Sequence, residues 1–353
     1  MAKVLMKGNE AIAEAAIQAG CRYFFGYPIT PQNQIPEYMS RRMPEVNGTF
    51  LQAESEVAAI NMVYGAAGAG ARVMTSSSSP GISLKQEGIS YIACAELPCV
   101  IVNIVRSGPG LGGILPSQGD YFQAVKGGGH GDYRVIVLAP SSVQEAADCV
   151  MEAFDLADFY RIPVLVMGDG MIGQMMEPVE FKEPIKRDLP PKTWAATGYD
   201  GSKPRAVINS LYIEAEEMNV VSARLQSVYD KITENEIRFD TFMMDDAEIG
   251  IVAYGTTARI VRNAILKARN ELGIKAGLIR PITLWPFPSQ PIADAAENCK
   301  AFLAVEMSTG QMVEDVRLAV NGKCPVSFVG TTGGIIPTPN QIVEKLKAIK
   351  EAM

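Results

Sequence analysis

Short apolar runs alternate with longer stretches of helical period along almost the whole chain. Residues 22–26, 72–75, 99–105, 135–138 and 163–167 are of strand length with few polar interruptions. Between them, residues 11–19, 31–43, 54–69 and 142–157 carry apolar side chains at three- and four-residue spacing. Strands that are apolar on both faces and alternate with helices predict a parallel sheet covered on either side. Residues 1–185 are therefore expected to form one α/β domain.

The pattern breaks over residues 183–205, where Pro190-Pro191, Gly198 and Gly201 fall without any clear period. That stretch predicts an extended linker. Residues 207–238 are polar with helical spacing and predict a helix bridging to a domain or partner, so 186–245 is expected to be linker plus bridging helix. Alternation then resumes. Strands are expected at 250–254, 275–278, 301–305 and 326–329, and helices at 257–272, 292–299, 310–320 and 340–352. Residues 246–353 thus predict a second, smaller parallel-sheet α/β domain of about four strands.

Composition narrows the function classes. A chain of 353 residues exceeds one ordinary core, in keeping with two domains. The net charge of −7, with no basic cluster beyond pairs such as Arg41-Arg42, argues against a nucleic-acid surface. No apolar run reaches membrane-spanning length, and residues 2–20 predict a strand start and an amphipathic helix instead of a targeting peptide. A cytoplasmic protein is expected. The six cysteines show no Cys-x-x-Cys spacing and His130 is the single histidine. Zinc and iron–sulfur sites need closely spaced ligands, so this chain is expected to hold neither.

Several motifs carry candidate chemistry. Tyr27-Pro28-Ile29-Thr30-Pro31 follows the strand at 22–26, which places the Thr30 hydroxyl at a strand's carboxyl end, where open parallel sheets bind ligands. Glu54 and Glu56 open a helical run, where the dipole favours carboxylates. Being two apart they face different sides, so at most one serves a given pocket. Arg106 ends the most apolar strand and suits either a carboxylate ligand or an ion pair with Glu96 or Asp120.

Gly108-Pro109-Gly110-Leu111-Gly112-Gly113 fits a dinucleotide fingerprint by letter, but Pro116 lies inside the helix that fingerprint requires. A glycine loop over a substrate is the better expectation. Gly168-Asp169-Gly170 resembles the start of a metal- and pyrophosphate-binding turn, yet prolines fill the following interval and no Asn pair appears. The Ser-rich run 75–81 suits an anion or a polar ring, and equally a helix cap. His130, among glycines, is expected to be an exposed loop residue.

Taken in order, Gly8-Asn9-Glu10-Ala11, Gly26 to Pro31, Glu54-Ser55-Glu56, Ser79-Pro80-Gly81, Val105-Arg106 and Glu306-Met307 through Gly310-Gln311 resemble the 2-oxoacid:ferredoxin oxidoreductases. The resemblance covers nearly the whole chain. It is to the subunit with a thiamine-pyrimidine-binding domain followed by a transketolase C-terminal-like domain, and within the family to the branched-chain (3-methyl-2-oxobutanoate) type, with 2-oxoglutarate types close by. It implies oxidative decarboxylation of a 2-oxoacid with coenzyme A and ferredoxin, using thiamine diphosphate shared with a partner subunit. Glu56 falls at the family's pyrimidine-activating carboxylate, with Tyr27 and Pro28 beside the cofactor. Thr30 and Arg106 fall at the substrate-contacting positions. The resemblance also implies a thiamine-pyrophosphate-binding subunit, a gamma subunit and a ferredoxin-like subunit, which would carry the magnesium ion and the iron–sulfur clusters. Two other readings stay open: a self-contained thiamine or nicotinamide enzyme, and a non-catalytic assembly subunit.

Overall fold

A run such as Cys99–Val105, apolar at every position but Asn103, can be satisfied only between two layers, and it sits at the middle of the larger sheet. The computed structural model describes residues 3–181, 187–202 and 204–353. The strands in chain order are β1 (Val4–Lys7), β2 (Tyr23–Gly26), β3 (Thr49–Gln52), β4 (Val73–Ser77), β5 (Cys99–Val105), β6 (Ile136–Leu138) and β7 (Pro163–Asp169). They continue with β8 (Met176–Val179), β9 (Phe239–Phe242), β10 (Ile249–Val252), β11 (Ala276–Pro281), β12 (Thr283–Trp285), β13 (Ala301–Glu306) and β14 (Val326–Gly330). Among the described residues, the larger sheet has the order β12-β6-β7-β5-β4-β2-β3 and the smaller β14-β13-β10-β11-β9. Each is parallel apart from one antiparallel edge strand, β12 and β9 respectively. Strands β1 and β8 form a separate antiparallel pair.

Side chains alternate across β5. Val100, Val102 and Ile104 join one core, with Ile35, Met39 and Met43 of the helix Gln34–Glu45. Ile101 and Val105 join the other, with Ile60 and Val63 of the helix Glu56–Gly68. The helices after β2 and after β3 therefore cover opposite faces. Strand β2 has β3 on one side and β4 on the other, so chain direction across the sheet reverses there. The crevice beyond its carboxyl end is the topological switch point, the usual ligand position in such sheets.

The second core also contains Val252, Ile279, Phe302 and Ala304 of the smaller sheet and Tyr254 just after β10, so the two sheets share it. Polar clasps lock the joint. Gln118 donates from Nε2 to the Tyr254 carbonyl at 2.9 Å and accepts at Oε1 from the Met307 N–H at 2.9 Å. The Tyr121 hydroxyl donates to Asp315 at 2.6 Å, and Arg280 grips both Glu145 oxygens at 2.9 and 2.8 Å.

Three expectations need correction. The smaller sheet has five strands, not about four, because β9 arises from the stretch read as linker and pairs antiparallel with β11. Residues 283–285, expected within the smaller domain and with no strand foreseen there, form β12, which pairs with β6 of the larger sheet. The bridging helix begins at Ala215, not at 207. Asn209 explains the late start: its side chain accepts from the Leu211 N–H at 3.0 Å and donates to the Leu211 carbonyl at 2.6 Å, diverting backbone groups from a helix. The helix packs Val221, Leu225, Tyr229 and Ile232 onto the first core. Of the linker at 183–205, residues 183–186 and 203 lie outside the described residues. Its described part is irregular and lies against the larger sheet's helices, with Arg161 over the Trp194 ring at 4.6 Å and the Ala196 N–H bonded to Gly68 at 2.9 Å.

Candidate active site

Four loops meet at the carboxyl edge of adjacent strands: residues 27–33 after β2, 53–56 after β3, 78–81 after β4 and 106–116 after β5. After β3, Ser55 takes an extended conformation and caps the next helix, its Oγ accepting from the Ala58 N–H at 3.2 Å. The residue that follows turns inward. Glu56 is only 6% exposed, whereas Glu54 is exposed, which settles what their spacing left open.

The helix Ser79–Cys94 crosses the helix Glu56–Gly68 at two glycines, each a point where a side chain would collide. A Cβ on Gly81 would lie 2.0 Å from Ser77 Oγ and 2.7 Å from Glu56 Oε1, and one on Gly88 would lie 2.5 Å from Ile60 Cγ2. The buried Glu56 carboxylate and the Ser77 hydroxyl thus both come up against the bare face of Gly81. The Ser77 and Ser78 hydroxyls are buried with no hydrogen-bond partner among the described residues, an arrangement that favours a ligand able to pair with them. Gly81→Ala and Gly88→Ala each add one methyl to this helix pair, so each should lower stability by about 1–3 kcal/mol. Only Gly81→Ala should also displace Glu56. Turnover per folded molecule should therefore fall at least about tenfold for Gly81→Ala and hold for Gly88→Ala, with folded fraction read by thermal melts.

The Ser-rich run does more than cap a helix. Ser79 Oγ accepts from the Arg106 N–H at 3.0 Å, Ser79 N donates to Asn103 Oδ1 at 3.2 Å, and Ser76 Oγ donates to Gln32 Oε1 at 2.5 Å. Gln32 in turn donates from Nε2 to the Tyr27 carbonyl at 3.2 Å, so the loops after β2, β4 and β5 are tied together. Tyr27 and Thr30 are half-buried and Pro28 is exposed.

Arg106 is 7% exposed and makes no ion pair with Glu96 or Asp120. Glu96 pairs with Arg224, and Asp120 accepts from Asn103 Nδ2 at 2.9 Å. The guanidinium is held instead by two neutral carbonyls, Nη1 to Thr30 and Nη2 to Leu111, both at 2.9 Å, and its Nε has no partner. A buried cation steadied only by dipoles retains its attraction for an anion, and its planar donor fork suits a carboxylate. Thr30 and Arg106 are thus brought together through the Thr30 carbonyl. The Thr30 hydroxyl meets Asn33 Nδ2 at 3.4 Å.

Other motifs resolve more plainly. No helix opens at Gly113, whose N–H bonds the Ser107 carbonyl at 2.9 Å. Residues 107–115 fold back as a loop with Leu111 at its exposed tip, so the dinucleotide fingerprint lacks its helix. Asp169 is an N-cap, accepting from the Met171 and Ile172 N–H groups at 2.8 and 3.2 Å, and burial pushes its carboxyl pKa up. Glu306 is likewise spent on backbone: its two oxygens accept from Gln311, Met312 and Val313, capping the helix Met312–Val320. Among the described residues, no group of three or more His, Cys, Asp or Glu side chains could hold a metal ion. His130 is exposed, its ring 5.9 Å from that of Tyr91 in an edge contact.

Lys85 escaped the motif reading. It is fully buried one helical turn beyond Gly81, and its Nζ donates to Thr75 Oγ1 at 2.7 Å and the Ser76 carbonyl at 3.1 Å. Burial pushes its pKa down to about 7 against an opposing pull from Glu56. The available signal was a lysine on the same helix stripe as Gly81, Gly88, Ile89 and Ile92, all of them buried.

The ketoisovalerate oxidoreductase subunit VorB of Methanothermobacter thermautotrophicus is 52% identical, over 99% of this chain and 98% of its own. The 2-oxoglutarate synthase subunit KorA of Methanothermobacter marburgensis is 37% identical over 98% of each. Among solved structures, a 2-oxoglutarate:ferredoxin oxidoreductase from Magnetococcus marinus, with 2-oxoglutarate, coenzyme A and succinyl-CoA bound, superposes with a TM-score of 0.86 at 25% identity, covering 98% of this chain and 65% of that one. A split-gene transketolase shares the fold, with a TM-score of 0.57 at 13% identity. Residues 247–342 match pyruvate:ferredoxin oxidoreductase core domain II. Residues 14–233 match the thiamine diphosphate-binding domain of pyruvate flavodoxin/ferredoxin oxidoreductases, and the chain belongs to that family, the 2-oxoacid:ferredoxin oxidoreductases, as an enzyme subunit.

Proposed function

We propose that this chain, in a cytoplasmic complex with partner subunits, catalyses the conversion of 3-methyl-2-oxobutanoate and coenzyme A to the branched acyl-CoA and CO2, with reduction of ferredoxin. One observation carries the reading: a buried carboxylate, Glu56, and a buried guanidinium, Arg106, without a carboxylate partner among the described residues, at the same sheet edge. These side chains suit the pyrimidine end of thiamine diphosphate. Glu56 supplies an anionic acceptor, Gly81 leaves the floor without a Cβ, and the Ser77 and Ser78 hydroxyls are free to pair.

Thiamine diphosphate, when bound, would supply a nucleophilic carbon and an electron sink for decarboxylation. The residues of this chain do the placing. Glu56 would hold a proton on a pyrimidine ring nitrogen, with Tyr27 and Pro28 beside the cofactor. Arg106 binds the substrate carboxylate through its donor fork, and the Thr30 hydroxyl donates to the same group. The magnesium ion, the pyrophosphate site and the iron–sulfur clusters belong to the partner subunits: one that binds thiamine pyrophosphate, a gamma subunit and a ferredoxin-like subunit.

Two observations favour the aliphatic acid over 2-oxoglutarate, which needs a second cation for its distal carboxylate. Lys126 is paired with Asp315, and Arg134 is exposed and bonded to the Tyr133 carbonyl. The relatives named for ketoisovalerate are also more similar to this chain than those named for 2-oxoglutarate. Steady-state assays of the reconstituted complex should give a kcat/KM for 3-methyl-2-oxobutanoate at least about tenfold above that for 2-oxoglutarate, since an unpaired buried carboxylate is costly. A preference for 2-oxoglutarate would overturn the substrate assignment.

A further inference from the structure

The turn Gly168-Asp169-Gly170 has no part in the chemistry described so far, yet it abuts the loops that carry Thr30 and Arg106. A Cβ on Gly170 would lie 3.3 Å from Pro31 Cγ and 3.5 Å from the Pro116 nitrogen. Pro31 follows Thr30, and Pro116 pairs with Arg106 in an isolated antiparallel bridge. Asp169 caps the short helix Gly170–Gln174, at whose end Gln174 donates from Nε2 to the Pro31 carbonyl at 2.9 Å. The helix Gly8–Gln18 starts against the same turn. A Cβ on Gly8 would lie 1.9 Å from the Ile172 carbonyl oxygen, and one on Gly173 would lie 2.6 Å from Asn9 Oδ1. Asn9 is fully buried and spends both amide hydrogens, on the Pro31 carbonyl and on Gln34 Oε1, each at 2.8 Å. Its Oδ1 has no hydrogen-bond partner among the described residues. A buried amide with an unpaired oxygen is costly, and an apolar side chain of the same size would avoid that cost.

We propose that Asn9 is a positioning residue for the substrate carboxylate, setting Thr30 and Arg106 through the Pro31 carbonyl, with Gln174 as its second. This rests on the role given to Thr30 and Arg106 above. Pro31 has no N–H, so the turn around it is fixed through its carbonyls. Ile29 accepts from the Gln32 N–H at 3.1 Å and Thr30 from Arg106 Nη1 at 2.9 Å. Pro31 accepts from the two amides, Asn9 and Gln174. Releasing the Pro31 carbonyl lets the Thr30–Pro31 step shift, and with it the oxygen that aims the guanidinium. Asn9, being fully buried, does this without touching the substrate.

The test uses Asn9→Leu, which keeps the size and removes the donors, and Gln174→Met, at an exposed position. In the reconstituted complex, with thiamine diphosphate and coenzyme A saturating, the KM for 3-methyl-2-oxobutanoate should rise about tenfold in Asn9→Leu and about threefold in Gln174→Met. The kcat should hold in both, since binding and not the chemical step is loosened. Placed in an Arg106→Lys background, the same substitutions should raise KM by less than about twofold, because they act through that guanidinium. Hydrogen exchange at the Gln32 amide of the purified chain should quicken in both variants, reporting a loosened turn. If Asn9→Leu does not fold, Gln174→Met decides alone. An unchanged KM or Gln32 exchange in the folded variant, a loss confined to kcat, or the full KM rise persisting beside Arg106→Lys would overturn the inference while Arg106 keeps its role. If Arg106→Lys itself leaves KM unchanged, the reading beneath the inference fails, and the inference with it.

Discussion

Glu56→Gln in the assembled complex should lower turnover on the order of 100-fold or more, the usual scale for a group that governs proton transfer. Assembly and the KM for the 2-oxoacid should be nearly unchanged. The amide keeps the shape of the side chain and fits between Gly81 and Ser77, but it cannot hold a proton on a ring nitrogen as an anion does. Steady-state kinetics with a size-exclusion check of assembly would measure it. The same variant separates this reading from that of a non-catalytic assembly subunit, for which substitution at Glu56, Thr30 or Arg106 would leave activity intact.

Replacing Arg106 should act on a different parameter. In Arg106→Lys a single ammonium cannot hold the Thr30 and Leu111 carbonyls and also meet a carboxylate through two parallel bonds. The KM for the 2-oxoacid should rise and kcat/KM should fall by about 100-fold, within the range measured for truncated buried charge contacts. Arg106 also steadies the loop tip at Leu111, so limited proteolysis of the loop should report whether the loss is structural. An unchanged KM with an intact loop would remove Arg106 from substrate binding.

Much of the fold was legible because continuous apolar strands leave little choice: β5 was expected at 99–105 and is found as Cys99–Val105. The elements that were missed are short edge strands. β3 and β9 carry four residues each, with mostly exposed or half-buried side chains, so their pairing comes from tertiary context and not from pattern. β12 carries three residues and crosses to the other sheet, which no local signal announces. At the site, spacing showed that Glu54 and Glu56 must diverge without saying which turns inward; the resemblance pointed to Glu56, and the structure buries it behind the Ser55 cap. Arg106 could not be assigned from spacing because its competing partners were near in sequence. Only the structure shows Glu96 and Asp120 engaged elsewhere. Lys85 was hidden because a lone lysine on a helix is ordinarily a solvated one.

A structure of the assembled complex with thiamine diphosphate and the 2-oxoacid bound tests the account most directly. It should place the Glu56 carboxylate within hydrogen-bond distance of the pyrimidine ring and the Arg106 guanidinium against the substrate carboxylate. Density for the coenzyme away from the carboxyl edge of β2 and β4, or a Glu56 side chain turned from the heterocycle, would contradict it.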